Sequence, residues 1–248
     1  NQIIGNSSWG TILRGDTLEV SGNLFNGNPY GSYFEGNGSP VWAGNTYANA
    51  SGTELIRMSP GVNLQESEPN VYGPGNAFYG IAVSGNLVGS STWSVTSLPY
   101  LIPSGYTATV GNNASQPGQL TIAPGVVVKL WNTGHLTMYA NSLITAVGTS
   151  TASIVFTSLR DDAVLNDAQP GDANPPAAGD WRGVFVEGPA ANRFEHVGFK
   201  YGGSQSAGGT EQAALNVNGE NLSAHHLTVL KSGGHGVKLS NGSSSIAE

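Results

Sequence analysis

Cysteine is absent from these 248 residues. That excludes a disulfide-stapled scaffold and any thiolate metal site, and leaves the redox compartment open. Charge is scarce too: charged residues make up 10% of the chain, against about a quarter in an ordinary globular protein. The nine Lys and Arg are scattered and the net charge is −7, so there is no basic face to neutralise phosphates and nucleic acid is not an expected partner. No apolar run approaches the roughly 18 residues of a membrane span, and no stretch of length reads as an amphipathic helix. A signal-peptide pattern and an initiating Met are both missing, so the expectation is a mature processed form or a piece of something longer.

Glycine is abundant, at 36 residues, about twice the usual share. Low charge alone would permit disorder, but 38% hydrophobic residues with five Trp and nine Tyr argue for a packed core. Gly, Asn and Ser punctuate brief apolar runs at short intervals, the pattern of many short strands joined by tight turns. A Cys-free, Lys-poor chain rich in Gly, Asn, Ser and Thr fits a secreted or cell-surface protein of a prokaryote, and the expected localisation is extracellular.

The chain repeats itself. The stretch from Gly22-Asn23-Leu24-Phe25 to Phe34 follows Asn1-Gln2-Ile3-Ile4 to Leu13 at a spacing of 21, with Gly31 under Gly10, and Gly44-Asn45-Thr46-Tyr47 opens the next unit at a spacing of 22. A looser copy runs over residues 75–83. Leu227 to Leu239 aligns with Asn1 to Leu13, as if residue 1 followed residue 248 at a spacing of 22. A period of 21 to 22 with two or three short strands per turn predicts an all-β parallel β-solenoid, in which each coil buries its apolar side chains against the coils above and below. A leucine-rich repeat has a similar period, but its Leu ladder and fixed Asn are missing. The expected domain is one β-helix over residues 1–248, one period of a longer tandem or head-to-tail array, with insertions near 57–75, 159–180 and 202–212.

The middle of the chain carries a resemblance. Leu120-Thr121-Ile122-Ala123-Pro124-Gly125-Val126-Val127-Val128-Lys129, Ile154-Val155-Phe156-Thr157-Ser158, Gly179-Asp180-Trp181-Arg182-Gly183-Val184 and Phe194-Glu195-His196-Val197 with Tyr201-Gly202-Gly203 resemble the right-handed parallel β-helix repeats of large prokaryotic surface proteins and secreted fibres, within the pectin-lyase-like superfold. The resemblance spans most of residues 90–248 and is specific for fold. Its members include enzymes, adhesins and scaffolds, so function must be argued from a site.

Pectin-cleaving hydrolases of that superfold use Asn-Thr-Asp, Asp-Asp, Gly-His-Gly and Arg-x-Lys. This chain has Asp161-Asp162 and Gly234-His235-Gly236 and lacks the other two. Asp162 and His235 are separated by about three coils, on the order of 15 Å along the axis, whereas paired carboxyl chemistry works at roughly 5 to 10 Å. His235 aligns with Trp9 and Tyr30, which points to a stacked ring in a turn. The run over 160–181 gathers Asp161, Asp162, Asp167, Asp172 and Asp180 with Asn166 and Asn174, a set able to supply the hard oxygens of a Ca²⁺ site. The Asp-x-Asn-x-Asp run that the resemblance implies is here Asp172-Ala173-Asn174-Pro175-Pro176, and solvated Asx turns are the plainer use. No cofactor is required by anything else in the sequence. His225-His226 cannot share an ion if both lie on a strand, since neighbours there face opposite ways. Trp9, Tyr30, Tyr33, Trp42 and Tyr47 recur near the period, either as stacked core and turn rings or as an exposed stripe suited to sugars. Asn6, Asn49, Asn113, Asn221 and Asn241 each open an Asn-x-Ser triplet, an acceptor for glycans.

The ends decide between the readings. A free-standing solenoid covers its terminal coils with atypical elements, and neither end shows one. The expectation is a structural unit of an extracellular filament, stalk or adhesin rod that stacks end to end with copies of itself through Asn1, Gln2, Ile3 and Ile4 at one end and Val237, Leu239, Ile246 and Glu248 at the other. A carbohydrate-binding or polysaccharide-degrading β-helix protein, with surface glycans as partners, is the alternative.

Overall fold

The computed structural model describes residues 1–165, 168–204, 212–219, 222–242 and 245–247. It is a right-handed parallel β-helix, and no helix occurs among the described residues. Parallel pairing within one winding chain follows from the repeat: a coil that returns to its starting point after one period lays like on like, and such crossovers take the right hand.

One sheet of nine strands, the spine, runs the length of the molecule, from Trp9–Arg14 through Tyr30–Glu35, Ile81–Val83 and Ile154–Ser158 to Thr228–Leu230. In the N-terminal coils the spine is flanked by a four-stranded sheet starting at Gln2–Ile4 and a two-stranded one starting at Glu19–Ser21. From Gly85–Leu87 and Gly89–Trp93 onward two six-stranded sheets take over, ending at His235–Ser240 and Ser245–Ala247.

The coils are short near the ends and wide in the middle. Thr11 pairs with Ser32 at a spacing of 21, and Leu215 pairs with Val237 one similarly short coil on. Between them Leu136 pairs with Val184, more than twice as far along the chain, because the 159–180 segment is looped out. Of the segment expected near 202–212, residues 205–211 lie outside the described residues. The first strand departs from the alignment at 21: Gln2 pairs with Leu24, not Asn23, because four residues link Gln2–Ile4 to Trp9–Arg14 and only three link Leu24–Asn26 to Tyr30–Glu35.

Alternate side chains of each strand point inward and stack in columns. Along the spine one column reads Ile56, Ile81, Tyr100, Val128, Phe156 and Phe199, each buried. Each such side chain contributes roughly 1.5–3 kcal/mol by leaving water. Rings stack on rings, as Phe25 on Tyr47 at 4.7 Å and Phe156 on Phe199 at 5.1 Å. Gly10 and Gly31 recur because the rings of Phe25 and Tyr47 press on them: a Cβ at Gly31 would stand 2.6 Å from the Leu55 carbonyl and 2.7 Å from Tyr47.

At one corner the amides of Asn1, Asn23, Asn45 and Asn70 form a ladder. Asn45 Oδ1 accepts from the backbone N–H and the amide of Asn23, both at 3.1 Å, while its own amide donates to Val20 O at 2.7 Å and Asn70 Oδ1 at 3.0 Å. A second ladder starts with Asn6 donating to Asn28 Oδ1 at 2.9 Å from both its N–H and its amide. These ladders satisfy backbone groups that a turn would otherwise bury unpaired.

Candidate functional site

The acidic segment lies over the outer face of the spine. The outward column there contains Leu101, Lys129 and Thr157, and these are buried because Leu159 and Ala168 close over them with Phe78 and Trp131 in a small second core. Lys129 is fully buried and donates from Nζ to the Asp161 carbonyl at 3.0 Å. Asp161 Oδ2 accepts from Thr157 Oγ1 at 2.6 Å and stands 4.0 Å from Lys200 Nζ. A buried ammonium is tolerated only with such partners. Asp180 Oδ2 accepts from Ser158 Oγ at 2.6 Å and from the Ala177 N–H at 3.0 Å, which ties down the far end of the segment. Asp172 accepts from the Asn174 N–H at 3.0 Å and from Arg160 Nε at 3.1 Å; the Asn174 N–H foremost, and Arg160 after it, hold this carboxyl below its ordinary range. Asp162 is exposed, and Asp167 lies outside the described residues.

Three of the carboxylates proposed for Ca²⁺, Asp161, Asp172 and Asp180, thus engage protein donors at separate points. Among the described residues no three His, Asp or Glu side chains converge on a metal position. Nor do Arg160, Asp161, Asp162 and Arg182 close on one cleft: Asp161 turns inward, Arg160 lies 3.8 Å over the Trp131 ring, and Arg182 covers Phe185 at 5.4 Å. His235 stands on a neighbouring sheet, in register with Ala213. His226 sits at an exposed corner with φ 52° and stacks on His196, ring centroids 4.3 Å apart.

A cleft does open beside this segment. A cavity of about 360 Å³ is bounded by Glu54, Phe78, Tyr106 and Trp131. Glu54 is 4% exposed, accepts from the Tyr106 hydroxyl through Oε1, and has Oε2 3.8 Å from Arg57 Nη1. The Arg57 guanidinium is held between the rings of Tyr33 and Tyr106, 5.3 Å from each centroid. Burial first, then the bond to Glu54, pushes the Tyr106 hydroxyl up to about 12. Glu54, Arg57, Tyr106 and Trp131 went unremarked in the sequence; the signal was Arg57 falling one coil above Tyr33 on the outward face. The proposed aromatic stripe divides, with Trp42 and Tyr47 buried in the core and Trp9, Tyr30 and Tyr33 forming a partly exposed stack.

The two end coils are the other candidate. At the first, Gln2–Ile4, Trp9–Arg14 and Glu19–Ser21 pair only with the coil above; at the last, Thr228–Leu230, His235–Ser240 and Ser245–Ala247 pair only with the coil below. Ile4 is 51% exposed, Leu239 44% and Ile246 48%, while Ile3 and Val237 are half-buried against the core. Glu248 lies outside the described residues.

No family model, curated protein or solved structure matches this chain. The end coils do match each other. Both consist of a short, a long and a short strand, and the starts are spaced alike, at Gln2, Trp9 and Glu19 in one and at Thr228, His235 and Ser245 in the other. The corner after the first strand is left-handed in both, Gly5 at φ 67° and Lys231 at φ 53°. Inward positions coincide as well: Ile3 with Val229, Leu13 with Leu239 and Val20 with Ile246 fall at equal places in their coils.

Proposed function

We propose that this chain is a structural unit of an extracellular β-helical rod, filament or stalk, stacking end to end with copies of itself. The observation that carries the reading is the equality of the two end coils in strand length, spacing and inward pattern. Two open parallel edges of like geometry continue each other's ladders and cover each other's apolar columns, and a head-to-tail contact that does not close gives an open rod. Sparse charge keeps repulsion between stacked copies small. The resemblance to β-helix repeats of prokaryotic surface proteins, in the pectin-lyase-like superfold, belongs to this proposal. Electron microscopy of the purified 248-residue chain over a range of concentrations tests it: rods that lengthen with concentration are expected. Dispersed particles at every concentration, with the 25.5 kDa mass of one chain in sedimentation, would overturn it.

The alternative of a carbohydrate-binding flank rests on the cleft with Arg57 between two tyrosines and Arg160 on Trp131. Flat rings and a carboxylate around a cavity of this size, with Arg57 and Arg160 packed on two of those rings, suit one or two sugar residues. Calorimetric titration with oligosaccharides should then show heat that Trp131→Ala abolishes; no heat with any oligosaccharide from a broad panel removes this reading.

A further inference from the structure

We infer that the copies meet with a turn of one face, so that the strand Gln2–Ile4 of one copy lies on the spine of the copy before it. This rests on the end-to-end reading and adds the geometry of the joint. The strand Thr228–Leu230 is the last of the spine, but its equal in the first coil, Gln2–Ile4, belongs to the flanking four-stranded sheet. Stacking spine on spine would set the short strand Thr228–Leu230 against the long Trp9–Arg14, and the long His235–Ser240 against the short Glu19–Ser21. Stacking Thr228–Leu230 under Gln2–Ile4 instead places short on short, long on long and short on short, with inward residues over inward residues.

The corner amides support the same register. In each rung of the two ladders, Oδ1 accepts from the coil before it. The acceptors presented to a preceding copy are therefore Oδ1 of Asn1 and Asn6. In the turned register these come over the backbone N–H groups of Leu227 and Ser232, where Asn23 and Asn28 come over Asn1 and Asn6 within the chain. Outside, Ile4 meets Leu230, and both are about half exposed without this contact, at 51% and 48%. Each copy then advances nine coils and one further face, a rise of about 45 Å with a rotation of roughly 120° beyond the slow twist of the sheets.

Cysteine pairs read the register directly, because the chain has no cysteine of its own and paired residues on parallel strands stand about 4.8 Å apart, within disulfide reach. The double variant Ile4→Cys/Leu230→Cys should give, on mild oxidation, a ladder of covalent multiples of the chain that reductant collapses. Ile12→Cys/Leu230→Cys, which reports spine on spine, should give no ladder above the background of the single variants. Both alter exposed side chains, and unchanged circular dichroism confirms the fold. Rods in the microscope with a ladder from the second pair and not the first would overturn the turned joint while leaving the filament reading intact. Absence of rods and of both ladders would remove the filament reading itself.

Discussion

Replacing Asn45 by Ala tests whether the corner ladders are structural supports or incidental. The side chain is fully buried and takes part in four hydrogen bonds: two received from Asn23, one given to Val20 O and one given to Asn70 Oδ1. A net contribution of about 1 kcal/mol for each bond, with a larger penalty wherever a buried group is left unpaired, puts the loss at about 3–5 kcal/mol. Asn1→Ala removes a single exposed bond to Asn23 and should cost less than about 1 kcal/mol by the same reasoning. Urea unfolding followed by far-ultraviolet circular dichroism measures both, with the slope compared so that only midpoints of like transitions are set against each other. Asn45→Asp adds a signature: a carboxylate would face the acceptors Val20 O and Asn70 Oδ1, so its folded form favours the protonated acid. That variant should be weakest at neutral pH and recover as pH falls. An Asn45→Ala protein within about 1 kcal/mol of the parent would refute the ladder as a support.

Gly31→Ala should be destabilised by several kcal/mol in the same assay, since the added carbon meets a carbonyl and a ring with no room to shift, whereas Gly27→Ala meets nothing within 4 Å and bears only the strain of φ 64°, about 1 kcal/mol. Alkali should unfold the protein cooperatively. Burial drives Tyr47, Tyr72 and Tyr100 well above their ordinary range and Tyr106 to about 12; because the folded values are raised, stability is whole below about pH 10 and falls as pH climbs, by about 3 kcal/mol per fully buried tyrosine at pH 12. Tyrosinate absorbance should therefore rise together with the loss of circular dichroism, and a separate earlier rise from these four rings would contradict the packing. Arg160→Ala removes the ring contact with Trp131 and the pair with Asp172; limited proteolysis should then cut within 168–180 while the remaining coils stay protected.

The coil principle was legible because Gly22-Asn23 and Gly44-Asn45 repeat the same corner, and an identical corner marks the period. Register within a coil was not, since the one-residue difference between the links after Ile4 and after Asn26 is invisible until strands are paired. The acidic run from Asp161 to Asp180 reads as a ligand set in one dimension. In three, it is a cover whose carboxylates and carbonyls answer a buried lysine, a serine, an arginine and main-chain donors, because Lys129 lies on an outward column that the same segment buries. Nothing local in the sequence marks Lys129 as interior, for its inward neighbours are apolar in any case. Arg57 and Tyr106 are far apart along the chain, and only the stacking of coils makes them partners.

Among the described residues, a single sheet passes through the whole molecule. The N-terminal flanks stop by Tyr72 and the two later sheets begin at Gly85 and Gly89, so the coil of Ile56–Met58 is joined to that of Ile81–Val83 chiefly by the three residue pairs of those two strands, with single bonds such as Ser91 Oγ to Val62 O and Ser97 Oγ to Glu66 beside them. Ladder bonds lie along the axis of a β-helix, so a pull on its two ends is borne in series by each layer and the thinnest layer yields first. Mechanical load would part the molecule at this layer, splitting a hydrophobic core that otherwise runs unbroken through it. A fibre made from such units would have its breaking strength set inside each subunit as much as between them.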